Sequence, residues 1–187
     1  MEYSVSTLKT NTIQAATGTT INVASGQVLT QPGTVLQVVS TTKTDTFTSS
    51  ATGPIDITGL SVTITPKYAT SKIFVMFNAH IVGFDAGTGI RLLRGSSVVA
   101  LGDASGSRAR MTVIGDYSNG TSPSSYSGGN SGMTILDSPN TTSATTYKLQ
   151  GQCLSTNGFR INKTRYNTDN GNASRGVSTI TVMEISQ

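Results

Sequence analysis

The sequence predicts an all-β fold: two antiparallel sheets packed as a sandwich, preceded by an extended N-terminal arm. Three observations carry this. From Thr34 onward, short runs with apolar residues at every second position recur, parted by Gly, Ser, Asn and Pro, the residues that turns demand. No stretch holds the apolar period of an amphipathic helix over a useful length. Residues 1–32, by contrast, carry a single aromatic, Tyr3, and apart from Val28-Leu29 their large apolar residues stand alone.

Composition agrees. The chain has 187 residues, enough for one domain plus an extension. Charged residues make up 12%, about half the usual share of a soluble domain. Ser and Thr take their place, and Thr favours strands because its branched Cβ packs on a pleated surface. Net charge is +4 with a pI near 9.4. The bases Arg91, Arg94, Arg108, Arg110, Arg160, Lys163, Arg165 and Arg175 are spread along the second half. That spacing fits a solvated surface or contacts to an acidic protein partner, and no segment has the density of a nucleic-acid tail. One cysteine, Cys153, excludes an intrachain disulfide. It falls at an apolar strand position and reads as a buried small residue. The first nine residues are mostly polar and hold no apolar block, unlike a signal peptide. The longest apolar run, residues 73–77, is far too short to cross a bilayer.

Taken in order, residues 1–33 read as the arm and residues 34–187 as the sandwich. Leu8-Lys9-Thr10-Asn11-Thr12-Ile13 and Thr19-Thr20-Ile21-Asn22-Val23 are short β-prone pieces, with turns at Ala16-Thr17-Gly18-Thr19 and Ser25-Gly26. Neither piece buries enough to offset its own ordering entropy. The arm is therefore disordered alone or ordered by pairing with a partner, with Leu8, Ile13, Ile21 and Val23 as its apolar anchors. Gln31-Pro32-Gly33 is a break. Strands are then expected at residues 35–39 and 44–48, and at 55–64, where Leu60, Val62 and Ile64 share one face.

Residues 72–82 form the most hydrophobic segment. Ile73, Val75, Phe77, Ala79 and Ile81 line one face, and Phe74, Met76, Asn78, His80 and Val82 the other. A strand apolar on both faces is covered on both sides. In a sandwich the opposite sheet covers one face only. The other needs a neighbouring subunit, approached by Phe74, Met76 and His80, or a loop of the same chain. Residues 89–93 and 98–101 flank Arg94-Gly95-Ser96-Ser97 as a hairpin. Residues 108–114 read as a strand, and 115–132 as a long Gly/Ser/Asn-rich loop. Strands at 133–136, 145–154 and 160–162, a polar loop at 167–176 and a last strand at 177–185 complete a count of about nine or ten. This suits a sandwich of the jelly-roll kind.

Chemistry finds little to build on. A Ser-His-Asp triad would have to use His80, the single histidine, and no Gly-x-Ser-x-Gly elbow supplies a nucleophile. One Cys and one His are too few to hold zinc. Asp85, Asp103, Asp116, Asp137 and Asp169 sit beside Gly, Ser or Asn and read as turn formers. Paired carboxylates could serve a glycosidase, but the chain has no Trp to stack sugars. Asp169-Asn170-Gly171-Asn172 lacks the rest of a calcium loop, and no Gly-rich phosphate loop is present. The residues therefore imply no catalytic site, cofactor or metal. Asn119, Asn140, Asn162 and Asn172 begin glycosylation patterns, expected by chance in so Asn- and Thr-rich a chain.

Several motifs are familiar as a set. Leu8-Lys9-Thr10-Asn11-Thr12-Ile13-Gln14 with Ile21-Asn22-Val23-Ala24-Ser25-Gly26 resembles the opening of small virion proteins of tailed phages. Thr58-Gly59-Leu60-Ser61-Val62-Thr63-Ile64-Thr65-Pro66, followed by Ala69-Thr70-Ser71-Lys72-Ile73, is similar to their central signature. Leu136-Asp137-Ser138-Pro139 and the ending Ser178-Thr179-Ile180-Thr181-Val182-Met183-Glu184-Ile185 complete the likeness, which spans nearly the whole chain. It implies a trimeric jelly-roll globule similar to complement-type and tumour-necrosis-factor-like heads, and no catalytic residues. The likeness does not set the role; the arm's lone apolar anchors and a short chain without shaft repeats favour a capsid decoration (cement) protein bound to the major capsid protein through residues 1–33, made in the host cytoplasm and displayed on the virion surface. A tail-fibre or receptor-binding head, meeting tail proteins and a host receptor, is the alternative. A glycan-degrading enzyme is the remote one. No nucleic-acid or membrane partner is expected.

Overall fold

The computed structural model describes residues 13, 17–19, 31–84, 87–118 and 128–187. The chain divides into two units, Met1–Thr30 and Gln31–Gln187. In the first, the described residues are Ile13, which is exposed, and a bend at residues 17–19 around Gly18 (φ 78°). The anchors Leu8, Ile21 and Val23 lie outside the described residues.

The second unit is built of strands, and its described residues contain no helix. In chain order they are β1 (Val35–Lys43), β2 (Phe47–Ser49), β3 (Ile55–Ile64), β4 (Lys72–Phe84), β5 (Thr88–Arg94), β6 (Ser97–Ala100) and β7 (Val113–Ile114). β8 (Asp116–Ser118), β9 (Gly129–Asp137), β10 (Thr145–Cys153), β11 (Phe159–Ile161) and β12 (Ser178–Ile185) follow. They make two sheets. In the larger, β4 is central, with β12 and β11 along one edge and β9 and β8 along the other; β1 lies beyond β12 and β2 beyond β11. In the smaller, β10 lies between β3 and β5, and β6 and β7 share the far edge of β5. Neighbours run antiparallel, except that β8 is parallel to β4. The two-sided apolar strand occupies the centre of its sheet; its inner face meets the smaller sheet, whereas on its outer face Met76 is 43% exposed.

The core lies between the sheets. Ile73, Val75, Phe77, Ala79 and Ile81 of β4 and Ile180 and Val182 of β12 share it with Leu60, Val62 and Ile64 of β3, Ile90 and Leu92 of β5, and Tyr147 and Leu149 of β10. Cys153 is buried there, its thiol donating to the Phe84 carbonyl at 3.5 Å. Two glycines shape this packing. Gly59 adopts φ 84° inside β3, where the pairing with β10 shifts: Lys148 opposes Ser61, yet Gln150 opposes Asp56. The bulge lets Ile57 and Leu60, three apart, both face inward. Gly151 of β10 stands where a Cβ would fall 2.4 Å from the Phe159 ring, so its missing side chain makes room for that ring.

The structure corrects several boundaries. Residues 108–112 are not strand, and only β7 forms there. The expected loop 115–132 contains β8 and the start of β9. β1 runs through Lys43, and the following strand begins at Phe47. The two-residue hairpin at Gly95-Ser96 is present, with Arg94 opposite Ser97 and Gly95 at φ 58°. Residues 31–34 are tied to the end of β12. Gly33 N donates to the Ser186 carbonyl at 2.9 Å, and Ser186 N to the Thr34 carbonyl at 3.0 Å.

One buried charge closes the sandwich edge. Glu184 of β12 points inward with no exposed surface. Its carboxylate accepts from Gln37 Nε2 at 2.6 Å, Lys67 N at 2.7 Å and Tyr68 N at 3.2 Å. It thereby holds the β3–β4 crossover onto β12. Burial pushes its pKa up, but the donors from Gln37 and the crossover backbone outweigh burial and hold it below the usual carboxylate value. A lowered carboxylate pKa adds stability above the unfolded-state value of 4.5, and that stability is lost as pH falls through the folded value. Wild type should therefore exceed Glu184→Gln in urea midpoint at pH 7, with the gap shrinking on acidification below about pH 4. A gap independent of pH would show that the charge adds nothing.

Candidate interaction surface

The two outer faces of the sandwich differ. On the smaller sheet, Lys148 pairs with Asp56 at 2.7 Å, Gln150 donates to Asp56 at 2.8 Å, and the Thr63 and Thr146 hydroxyls meet at 2.7 Å. These side chains satisfy one another or face water.

On the larger sheet, directly opposed residues of antiparallel neighbours point to the same side. Register places Val38 of β1 opposite Met183 of β12, Met183 opposite Phe74 of β4, and Phe74 opposite Leu136 of β9. An apolar row thus crosses four strands on the outer face. Val38 is 55% and Leu136 57% exposed, while Phe74 and Met183 are half-buried. The next row is Ser40, Thr181, Met76 and Thr134. Met76 is 43% exposed, and the Ser40 and Thr181 hydroxyls are 2.8 Å apart. The row carries no charge. Lys72, one step along β4, has its ammonium turned to the Ser138 hydroxyl at 2.6 Å.

Of the three residues assigned to a subunit contact, Phe74 and Met76 lie on this open face. His80 shares it but is enclosed by its own chain. A Cβ on Gly128 would fall 2.4 Å from the imidazole, and one on Gly176 3.0 Å from it. Burial lowers the His80 pKa, and its Nδ1 is buried without a hydrogen-bond partner among the described residues. Val38, Leu136 and Met183 were not singled out by sequence. Each lies in a strand with apolar residues at both parities, a signal of outward apolar positions. Their meeting depends on register between segments up to about a hundred and fifty residues apart.

Asp137 was read as a turn former. It is instead the last residue of β9, and its carboxylate accepts from Arg94 Nη1 at 2.7 and 2.9 Å and from the Tyr147 hydroxyl at 2.6 Å.

No protein-family model matches the chain, and no curated protein matches it. Among solved structures, one similar chain is from the tripod of the baseplate of bacteriophage Tuc2009. It is 14% identical over 95% of this chain and 84% of that chain, with a TM-score of 0.33.

Proposed function

We propose that this is a non-enzymatic structural protein of a phage virion, a jelly-roll trimer that decorates the capsid and is attached through residues 1–33. The observation that carries the assembly reading is the uncharged row Val38–Met183–Phe74–Leu136 on an otherwise finished sandwich. Fully burying an exposed large apolar side chain is worth about 1.5–3 kcal/mol, and these half-exposed residues would each add a part of that against a second copy. Three copies joined there leave the polar face of the smaller sheet outward. The motif resemblance supports the virion setting; the use of the arm on the major capsid protein rests on its lone apolar anchors and the absence of shaft repeats.

Sedimentation of the purified chain is expected to give a trimer, and Phe74→Glu a folded monomer. A monomeric wild type would overturn the interface. Removing residues 1–30 spares the Gly33–Ser186 pairing and should leave the trimer intact while abolishing binding to virions that lack the protein. Hundreds of copies per virion fit the shell. A few tens would move the protein to the tail.

A further inference from the structure

Among the described residues, the strands at the sheet margins are short or guarded, with one exception. An edge strand presents unpaired N–H and C=O groups, so a long regular edge invites a further strand. β2 and β8 have three residues each, β6 four and β7 two. β1 and β3 guard each other across the sandwich. Thr41 Oγ1 donates to the Ser61 carbonyl at 2.8 Å, and Gln37 Nε2 to the Thr65 carbonyl at 2.7 Å. β3 is also bent by its bulge at Gly59.

β9 has none of these protections. It runs nine residues, Gly129–Asp137, and pairs with β4 alone, in unbroken register from Ile81–Gly129 to Ile73–Asp137. It contains no Pro and no Lys, and its sole charge, Asp137, is turned to Arg94 and Tyr147. That carboxylate ties one end of β9 to the smaller sheet. Near the other end, the Ser131 hydroxyl donates to the Ile114 carbonyl at 3.2 Å. Between them, Met133 opposes the core residue Phe77 yet is 36% exposed, and Leu136 on the outer side is 57% exposed. Every second residue of an antiparallel strand turns its N–H and C=O away from its neighbour. The stretch between Ser131 and Asp137 therefore offers a hydrogen-bonding ladder with apolar side chains on both faces.

This stretch fits itself. In an antiparallel pair with its two-fold axis at Thr134, Gly132 stands opposite Leu136 of the second copy, Met133 opposite Ile135, and Ser131 opposite Asp137. Opposed residues share a face. The leucine thus lies beside the residue without a side chain, the two Thr134 hydroxyls meet at the centre, and Met133 with Ile135 carries the core across the junction. The two Asp137 carboxylates are then roughly 20 Å apart along the strands, well beyond the screening distance of physiological salt. Sliding by two residues either way sets Met133 against its own copy or against Asp137.

We propose that β9 pairs with β9 of a second copy of this chain, joining two larger sheets edge to edge. The contact is one strand pair wide. It is therefore weak in dilute solution and takes hold where copies are crowded side by side. It uses the edge of the sheet and not the outer-face row, so it stands whether or not the trimer does.

The test uses the full chain with Phe74→Glu, which removes the outer-face contact and so separates failure of the trimer from failure of the edge pairing. With Thr134→Cys added at this exposed position, mild oxidation at rising protein concentration should give a disulfide-linked dimer. The register sets the two introduced thiols directly opposite, at a separation a disulfide spans. Cys153 is buried and stays out of the reaction. Leu136→Cys in place of Thr134→Cys should crosslink far less, because the register offsets it from its own copy. Met133→Lys, a charge on the open edge away from the outer face, should abolish the Thr134→Cys crosslink while thermal unfolding still shows a folded chain. Without any cysteine added, amide exchange over residues 132–136 should slow as concentration rises. No dimer at any concentration, equal crosslinking from both cysteine positions, a crosslink that survives Met133→Lys, or exchange indifferent to concentration overturns the pairing.

Discussion

Replacing Asn162 by Ala is expected to destabilise the globule by about 3–5 kcal/mol. Asn162 is fully buried and left-handed, with φ 59°. Its Nδ2 donates to the carbonyls of Lys43 at 2.8 Å and Asp45 at 2.9 Å, fixing the corner between β1 and β2. Its Oδ1 accepts from the Ser178 hydroxyl at 2.6 Å, and that hydroxyl accepts from His80 N at 3.0 Å. Its own N–H donates to the His80 carbonyl at 3.0 Å, and its carbonyl accepts from Gly176 N at 3.1 Å. Alanine strands the buried Lys43 carbonyl, the part-buried Asp45 carbonyl and the Ser178 hydroxyl, each worth about 1 kcal/mol or more when buried and unsatisfied. It also bears the left-handed strain that Asn tolerates better. Glycine removes the strain but not the lost bonds, so Asn162→Gly should recover about 1 kcal/mol. Asn162→Asp should be worse than either, because it aims a carboxylate at two carbonyls. Urea midpoints of the three variants check the order; alanine as stable as glycine would remove the strain from the account. The same burial excludes a glycan at Asn162.

The second large effect is expected at Asp137. It ends β9 in the larger sheet, whereas Arg94 ends β5 and Tyr147 lies in β10, both in the smaller. The carboxylate therefore locks the sheets together at one end. Tyr147 is fully buried, and burial together with the Asp137 charge pushes its pKa far up, so its hydroxyl remains a donor. Asp137→Ala leaves that hydroxyl and a partly buried guanidinium without their acceptor. The expected cost is about 2–3 kcal/mol, below that of a fully buried pair because Arg94 retains some exposure. Tyr147→Phe should cost about 1 kcal/mol. The double variant should cost less than the sum of the two, since both remove the same bond. Strict additivity in denaturant unfolding would show that the two groups act independently.

These two residues mark where the sequence was silent. Asp137 stands between Leu136 and Ser138-Pro139, a local context that spells a turn. Its partners on β5 and β10 arrive only when the second sheet folds over the first. Asn162 sits in an ordinary Asn-Lys-Thr triplet, and its buried role depends on a corner over a hundred residues earlier. The β3 bulge was equally hidden, although Gly59 within a run rich in β-branched residues was its one local trace. That residues 72–82 form a strand was legible from their alternation; the cover expected on both faces is met on the inner side, whereas Met76 on the outer side is 43% exposed.

What the sequence determined by itself is which side of each strand faces inward. Side-chain direction alternates with every residue, so a local pattern suffices to set it. What only the tertiary structure decided is which strands are neighbours and in what register. That choice is made by backbone hydrogen bonds, which every residue offers alike, and by packing between segments far apart in the chain. The apolar row, the carboxylate lock and the open β9 edge all live on that second level.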